Sequence, residues 1–212
     1  RLDAAAPPQA ILASSTSAIV ASQFTEGLAG RARCLVAHPV NPPHLVPIVE
    51  LCGAPWTAPE AIARARAVFE SVGQAPIEVK KEVDGFILNR LQVALLTEAF
   101  RLVADGYVTP QDLDRTIADG LGLRWAFMGP FETIELNAPA GIADYCSRYT
   151  PWFNRYMADL PKPEVWNEAN WRKVAAAWGP APTPEEVSKK SRWRNERLAA
   201  LAAHKKGQAG YG

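Results

Sequence analysis

The sequence predicts an α/β layer followed by an all-α region. Up to about residue 82, short apolar runs typical of buried strands alternate with helical patterns, which is the signature of an α/β layer. After Gly85, apolar residues recur at helical spacing to the end of the chain. We therefore expect two domains, residues 1–82 and 83–212, with the boundary in the segment EVDG.

The first part contains four candidate strands. They lie in the segments AILASST, RCLVA, LVPIVEL and PIEVK. The segment SAIVASQF predicts a short helix that begins at Ser17. A longer helix is predicted over TAPEAIARARAVFESVG, with Thr57 as its N-cap and Gly73 at its end.

The second part opens with the longest helical pattern, FILNRLQVALLTEAFRLVADG, which stops at Gly106. A new helix is expected to begin at Thr109, an N-cap with Pro110 behind it. Further helical patterns lie in TPQDLDRTIADG, GIADYCSRY, NEANWRKVAAAW and PEEVSKKSRWRNERLAALAAHKK. We interpret Gly120 and Gly122 as helix termination and turn.

Composition excludes several function classes. Of the 212 residues 48% are hydrophobic, which is ample for a core. The chain has 23 basic and 22 acidic residues, so charge gives no reason to expect nucleic acid or an anionic membrane as a partner. Three cysteines without metal-ligand spacing predict reduced thiols, no metal site and a cytoplasmic location. No apolar run approaches the roughly 20 residues that span a bilayer.

Glu50 is a carboxylate inside an apolar strand. Because strand side chains alternate, we expect Val46, Ile48 and Glu50 to lie on one face. Burying an unpaired carboxylate would cost several kcal/mol, so a structural salt bridge or an exposed edge strand is one interpretation. His38 directly follows RCLVA, and Ser17 takes the corresponding place after AILASST. Carboxyl ends of strands are where ligands gather in α/β sheets, which favours a site.

The candidate site therefore combines four side chains. His38, Glu50, Asn41 and Ser17 together suggest a base, the carboxylate that orients it, and amide or hydroxyl donors. A satisfied structural histidine is the alternative for His38 taken alone. Imidazole suits the removal of a hydroxyl proton near neutral pH, and a nearby carboxylate would fix its tautomer and favour its protonated form.

Four motifs, ILASSTS, HPVNPPHLVPIVEL, GFILNR and MGPFETIELNA, resemble in order those of the 3-hydroxyacyl-CoA dehydrogenase superfamily, more narrowly its L-gulonate 3-dehydrogenase or lambda-crystallin branch. The resemblance covers essentially the whole chain. It implies the distal part of a Rossmann-type NAD-binding domain, followed by a helical domain like the C-terminal domain of 6-phosphogluconate dehydrogenase. The implied activity is NAD-dependent oxidation of a 3-hydroxy acid by a homodimer that forms through the helical domain.

The resemblance also implies roles for single residues. His38 would be the general base, Glu50 its orienting carboxylate, and Ser17 and Asn89 donors to the substrate oxygen. Asn89 taken alone could equally be a helix-surface amide.

Other residues would bind the cofactor and the substrate. Asn41 would lie beside the nicotinamide, and Ser15 and Ser17 would also contact NAD. Arg124 could clamp a substrate carboxylate with two hydrogen bonds, although a solvated surface position or a dimer contact explains a single arginine as well.

One expected motif is missing. An NAD-binding domain of this type should contain a strand, G-x-G-x-x-G and a helix, and the near match GLGLRWA follows a helix instead. We therefore expect the chain to begin late in the dinucleotide domain. These 212 residues alone should then bind NAD weakly, with little or no dehydrogenase activity, and should leave an apolar sheet edge exposed.

Three functions remain open at this point. The first is oxidation of a small carboxylated polyol such as L-gulonate. The second keeps the chemistry but uses hydroxyacyl-CoA or carnitine. The third is a catalytically silent structural or dimerisation protein, as lens crystallins related to this family imply.

Overall fold

The computed structural model describes residues 1–208 as two compact units. One unit comprises Arg1–Gln92 together with the segment that starts at Lys189, and the other comprises Val93–Ser188. The domain boundary expected at residues 82–85 stays a prediction.

The first unit is built on a four-stranded sheet. Its strands are β1 (Leu12–Ser14), β2 (Cys34–Pro39), β3 (Ile48–Gly53) and β4 (Ala75–Val79), and they lie in that order across the sheet. β1 runs parallel to β2, β2 antiparallel to β3, and β3 parallel to β4. All four predicted strands are present. β3 is an interior strand, so Glu50 does not lie on a sheet edge.

Helices α1 (Leu2–Ala5), α2 (Ser22–Thr25) and α3 (Pro59–Ser71) accompany this sheet. Alternation of side chains along β2 and β3 produces two core clusters. One contains Leu35, Ala37, Val49 and Leu51 with Ala65 of α3. The other contains Val36, Cys52, Val79 and Phe86 with Val20, Ala21 and Ala54. His38 and Glu50 share the side-chain alternation of Val36 and Cys52, which places them on the sheet face covered by Phe86.

The helical patterns predicted after Gly85 are present as helices, and a short helix that was not predicted lies at Pro130–Glu135. The helical elements are α4 (Phe86–Ala104), α5 (Pro110–Arg115), α6 (Gly122–Trp125), α7 (Pro130–Glu135), α8 (Gly141–Met157), α9 (Glu168–Trp178) and α10 (Pro184–Lys206). Thr109 is the N-cap of α5 as predicted, since its hydroxyl accepts a hydrogen bond from the Asp112 amide at 3.1 Å. None of the helices in residues 1–208 is both long enough and apolar enough to cross a membrane.

The prediction that a helix begins at Ser17 is wrong. Ser17 lies in a bend, and α2 begins only at Ser22. The hydroxyl of Thr16 accepts a hydrogen bond from the Ile19 amide at 3.2 Å, which stabilises a local turn in place of a helix. At the actual helix start, the Ser22 amide donates to Glu82 at 2.8 Å, a partner 60 residues away.

Three smaller predictions are also wrong. Ala58, not Thr57, is the N-cap of α3, because the Thr57 hydroxyl instead donates to the Cys34 carbonyl at 2.7 Å. Val46 precedes β3 and does not share its alternation with Ile48. Gly120 and Gly122 do not end a helix. Gly120 lies in a π-helical segment, Thr116–Leu121, that continues into α6 at Gly122, and neither glycine adopts the left-handed conformation that terminates a helix.

Candidate active site

His38 and Glu50 form a buried pair. They are direct cross-strand partners of β2 and β3, and His38 Nδ1 lies 2.8 Å from Glu50 Oε2. Side chains at directly opposed positions of antiparallel strands point to the same face. Glu50 is 0% exposed and His38 5% exposed, so water does not screen the pair.

The other oxygen of Glu50 is bound by the beginning of α4. Glu50 Oε1 accepts hydrogen bonds from the Ile87 amide at 2.8 Å and the Leu88 amide at 3.0 Å. The first amides of a helix have no partner within the helix, and the helix dipole favours a negative charge there. These two bonds, with that to His38, offset the loss of hydration on burying the carboxylate.

The pairing also determines which nitrogen of His38 is available for chemistry. A carboxylate is an acceptor only, so the Nδ1 atom that faces Glu50 carries a proton. In the neutral ring, Nε2 is then the atom that can accept a proton. The arrangement of an imidazole oriented by a buried carboxylate is typical of a general base.

Asn89 and Ser17 are joined by a hydrogen bond. The side-chain amide of Asn89 donates to the backbone carbonyl of Ser17 at 2.7 Å. Asn89 is half-buried and Ser17 is exposed. Because an amide group has two N–H donors, one remains for another acceptor, and the exposed Ser17 hydroxyl is a further donor. Asn89 lies two residues beyond Ile87, so the first turn of α4 contacts both Glu50 and the segment after β1.

Ser15 and Asn41 lie after neighbouring strands. Ser15 directly follows β1, Asn41 follows β2 by two residues, and both side chains are exposed. Since β1 and β2 are parallel, their carboxyl ends lie at the same edge of the sheet. These hydroxyl and amide groups suit the carboxamide of a nicotinamide. Arg124 lies on α6 in the second unit and is exposed.

Phe86 was not among the predicted site residues. It is fully buried, and its ring centroid lies 5.4 Å from that of His38 at an interplanar angle of 33°. Gly85 and Phe86 have φ angles of +76° and +50°, both in the left-handed region. The motif GFILNR contains a sequence signal for this turn. Its glycine stands directly before the start of a helix, whereas a left-handed glycine usually follows the end of one.

The two buried cysteines are not reactive thiols. Cys34 and Cys52 are buried, and Cys146 is exposed. Burial raises the pKa of the Cys52 thiol to about 11, with Glu82 and Glu50 contributing in the same direction. Burial also raises the pKa of Cys34. Both buried thiols therefore stay protonated near neutral pH and are poor nucleophiles. Within residues 1–208 there is also no cluster of three or more metal-ligating side chains.

Comparison with known proteins gives the family. Residues 1–83 match the NAD-binding domain of 3-hydroxyacyl-CoA dehydrogenase, and residues 85–177 match the C-terminal domain of the same enzyme. The chain belongs to the 3-hydroxyacyl-CoA dehydrogenase family. The match confirms NAD as the cofactor of the family domain present here, and a Rossmann-type domain followed by a helical domain as the fold class.

The chain is also similar in sequence to individual proteins. The chain is 43% identical to lambda-crystallin of Oryctolagus cuniculus, over 97% of this chain and 65% of that protein. It is 39% identical to an L-carnitine dehydrogenase of a Pseudomonas species, over 95% of this chain and 63% of that protein. The chain thus spans slightly less than two thirds of the length of these relatives.

A solved structure of the same fold class is also similar. It is 5-formyl-3-hydroxy-2-methylpyridine 4-carboxylic acid 5-dehydrogenase, described as an NAD⁺-dependent dismutase. The TM-score is 0.83 at 29% identity, and the match covers 98% of this chain and 68% of that one.

Proposed function

We propose that the protein is an NAD-dependent dehydrogenase that oxidises the 3-hydroxyl of a small hydroxy acid, with His38 as general base. The observation that carries this proposal is the 2.8 Å bond between His38 Nδ1 and the fully buried Glu50. A carboxylate placed there fixes the tautomer whose Nε2 takes up the hydroxyl proton. It also stabilises the imidazolium that results.

The remaining side chains have distinct roles in this reaction. Bound NAD supplies the acceptor for the hydride. The second N–H of Asn89 and the hydroxyl of Ser17 donate hydrogen bonds to the substrate oxygen. In the reverse direction they stabilise the charge that develops on a carbonyl oxygen. The hydrogen bond between Asn89 and the Ser17 carbonyl supports this assignment, because it holds both groups at the start of α4.

We further assign Ser15, Ser17 and Asn41 to NAD and Arg124 to the substrate. The exposed position of the first three at the carboxyl ends of β1 and β2 supports contact with the nicotinamide. The exposed guanidinium of Arg124 suits a carboxylate, which it can bind with two parallel hydrogen bonds.

The substrate that we favour is a carboxylated polyol such as L-gulonate. Carnitine is the second candidate, and the specific observation in its favour is the 39% identity to an L-carnitine dehydrogenase. Hydroxyacyl-CoA is a third, in line with the family. A non-catalytic, crystallin-like role is the alternative of another class, supported by the 43% identity to lambda-crystallin. Turnover of L-gulonate, L-carnitine or 3-hydroxybutyryl-CoA distinguishes these four.

We also propose a homodimer that forms through the helical region, and a cytoplasmic location. Five tryptophans between residues 120 and 180 are all exposed in the isolated chain, which supports burial of these side chains against a second copy. They are Trp125, Trp152, Trp166, Trp171 and Trp178. The cytoplasmic location is supported by three cysteines that are all free thiols.

The role of His38 is tested by His38→Ala in the full-length protein. Loss of the base should lower turnover by about two to four powers of ten while the protein stays folded. His44→Ala is the matched control, because His44 lies in the same segment and is exposed. The control should retain turnover within about twofold, because surface substitutions usually change stability little and His44 is not part of the pair. If His38→Ala retains turnover within about tenfold, the assignment of His38 as base is wrong.

A further inference from the structure

The chain enters α4 in an unusual conformation. Two consecutive residues, Gly85 and Phe86, have positive φ angles. For glycine the left-handed region is unstrained, but for a bulky residue such as phenylalanine it costs energy. Strain of this kind persists only where the surrounding structure over-determines it, and it is concentrated at functional sites.

The result of this turn is the orientation of two backbone amides. Immediately after Phe86, the amides of Ile87 and Leu88 both point at Glu50 Oε1, at 2.8 and 3.0 Å. Glu50 in turn holds His38 through its other oxygen. The backbone conformation at Phe86 therefore determines where the carboxylate lies, and the carboxylate determines the orientation of the imidazole.

The Phe86 side chain contacts the same imidazole directly. Its ring packs against His38 at a centroid distance of 5.4 Å and is 0% exposed. It also belongs to the core cluster that contains Val36 and Cys52, the neighbours of His38 and Glu50 on their face of the sheet. Phe86 thus limits rotation of the His38 ring and excludes water from the pair.

We propose that Phe86 is a positioning residue, which fixes the His38–Glu50 pair through its ring and through the turn that it forms. This inference rests on the proposed function, in which His38 is the base. It differs from a role in core packing alone, because a core residue would affect the stability of the fold without a specific effect on the Nδ1 hydrogen bond. A misplacement of about 1 Å at a reacting group can lower turnover by about a hundredfold.

The experiment compares Phe86→Leu and Phe86→Met with wild type in the full-length protein. Both variants retain apolar volume but remove the ring. Phe69→Leu is the matched control, since Phe69 is a half-buried phenylalanine packed against the other core cluster of the same sheet. Two properties are measured: kcat and KM with whichever of L-gulonate and L-carnitine the wild type oxidises, and the solvent exchange of the His38 Nδ1 proton by NMR.

We expect both Phe86 variants to lower kcat about tenfold or more, with KM within about threefold, because the groups that bind substrate are unchanged. The Nδ1 proton should exchange faster with solvent in both, and Phe69→Leu should change neither property. Unchanged kcat and unchanged proton exchange in folded Phe86 variants would overturn the proposal, as would an equal loss in Phe69→Leu. The proton exchange is independent of activity, so it still tests the positioning role if His38→Ala shows that His38 is not the base.

Discussion

Glu50 uses its two carboxylate oxygens for different partners. One binds His38, and the other accepts the first amides of α4. A glutamine at this position has the same shape but only one acceptor oxygen. If that oxygen binds the α4 amides, the NH₂ group faces His38 Nδ1 and requires Nδ1 to be an acceptor.

We therefore expect Glu50→Gln to leave the protein folded but to lower turnover by about a thousandfold, because Nε2 then carries the proton that it should accept. The matched control is Glu82→Gln. Glu82 also accepts a hydrogen bond from a backbone amide, that of Ser22 at 2.8 Å, but it is not a member of the His38–Glu50 pair. Steady-state kinetics and thermal unfolding of both variants test this. Turnover of Glu50→Gln similar to that of Glu82→Gln would contradict the prediction.

At the residue scale, the sequence predicts that His38 and Glu50 form a pair, but it does not predict the groups that hold this pair in place. Alternation along β3 and the position of His38 at a strand end are local patterns, so Glu50 and His38 are found together from sequence alone. The contribution of Phe86 depends on a positive φ angle in a non-glycine residue, which composition does not indicate. The amides of Ile87 and Leu88 are backbone groups that every residue type except proline carries, so no residue type identifies them.

At the scale of elements, α8 has an aromatic stripe along one face. Tyr145, Tyr149, Trp152, Phe153 and Tyr156 recur at the three- and four-residue spacing of a helix face. Tyr145, Tyr149 and Phe153 contact each other, with ring centroids 4.6 to 6.1 Å apart. Trp152 is 53% exposed in the isolated chain. This stripe is the most specific candidate surface for the proposed homodimer.

We expect the wild type to sediment as a dimer at micromolar concentration. Trp152→Glu should raise the dissociation constant of the dimer by about tenfold or more, because tryptophans at interfaces commonly contribute much of the binding energy. Val68→Glu is the control, because Val68 is also an exposed apolar residue and lies on α3 in the other unit. Analytical ultracentrifugation of the three proteins measures this. A wild-type monomer would exclude the dimer, and an unchanged dimer in Trp152→Glu would exclude the α8 stripe as its interface.

Element predictions succeeded or failed according to where the stabilising contacts lie. Thr109 and α5 could be predicted because the Thr109 hydroxyl and the Asp112 amide that it accepts are only three residues apart. The start of α2 could not, since its first amide is satisfied by Glu82, far along the chain. The same holds for Thr57, whose hydroxyl donates to the carbonyl of Cys34 in β2, 23 residues away, instead of capping α3.

At the scale of the whole molecule, NAD binding is the property that these 212 residues should support least by themselves. They contain no strand followed by G-x-G-x-x-G, although helix N-terminal amides in that motif hold the pyrophosphate. The groups that we assign to NAD, on Ser15, Ser17 and Asn41, would contact only the nicotinamide end.

We therefore expect residues 1–212, expressed alone, to bind NADH about tenfold or more weakly than a longer version that carries a glycine-rich strand–turn–helix segment ahead of Arg1. Calorimetric titration of both proteins with NADH measures the difference. A separate assay of both proteins with NAD⁺ and L-gulonate or L-carnitine shows whether the 212-residue form oxidises substrate. If both proteins bind NADH with the same micromolar affinity, the contacts to the pyrophosphate do not have to come from a segment outside residues 1–212, and the prediction is wrong.

The contacts of Glu50 also place a constraint on the order in which the site can be completed. His38 lies 12 residues before Glu50, whereas the amides of Ile87 and Leu88 come 37 and 38 residues after it. During synthesis, the β2–β3 hairpin with its carboxylate emerges from the ribosome before those donors emerge. Glu50 can be fully buried with both oxygens satisfied only after the first turn of α4 has been made and has reached the sheet. Assembly of the candidate base and docking of this helix are therefore one event in the biogenesis of the protein.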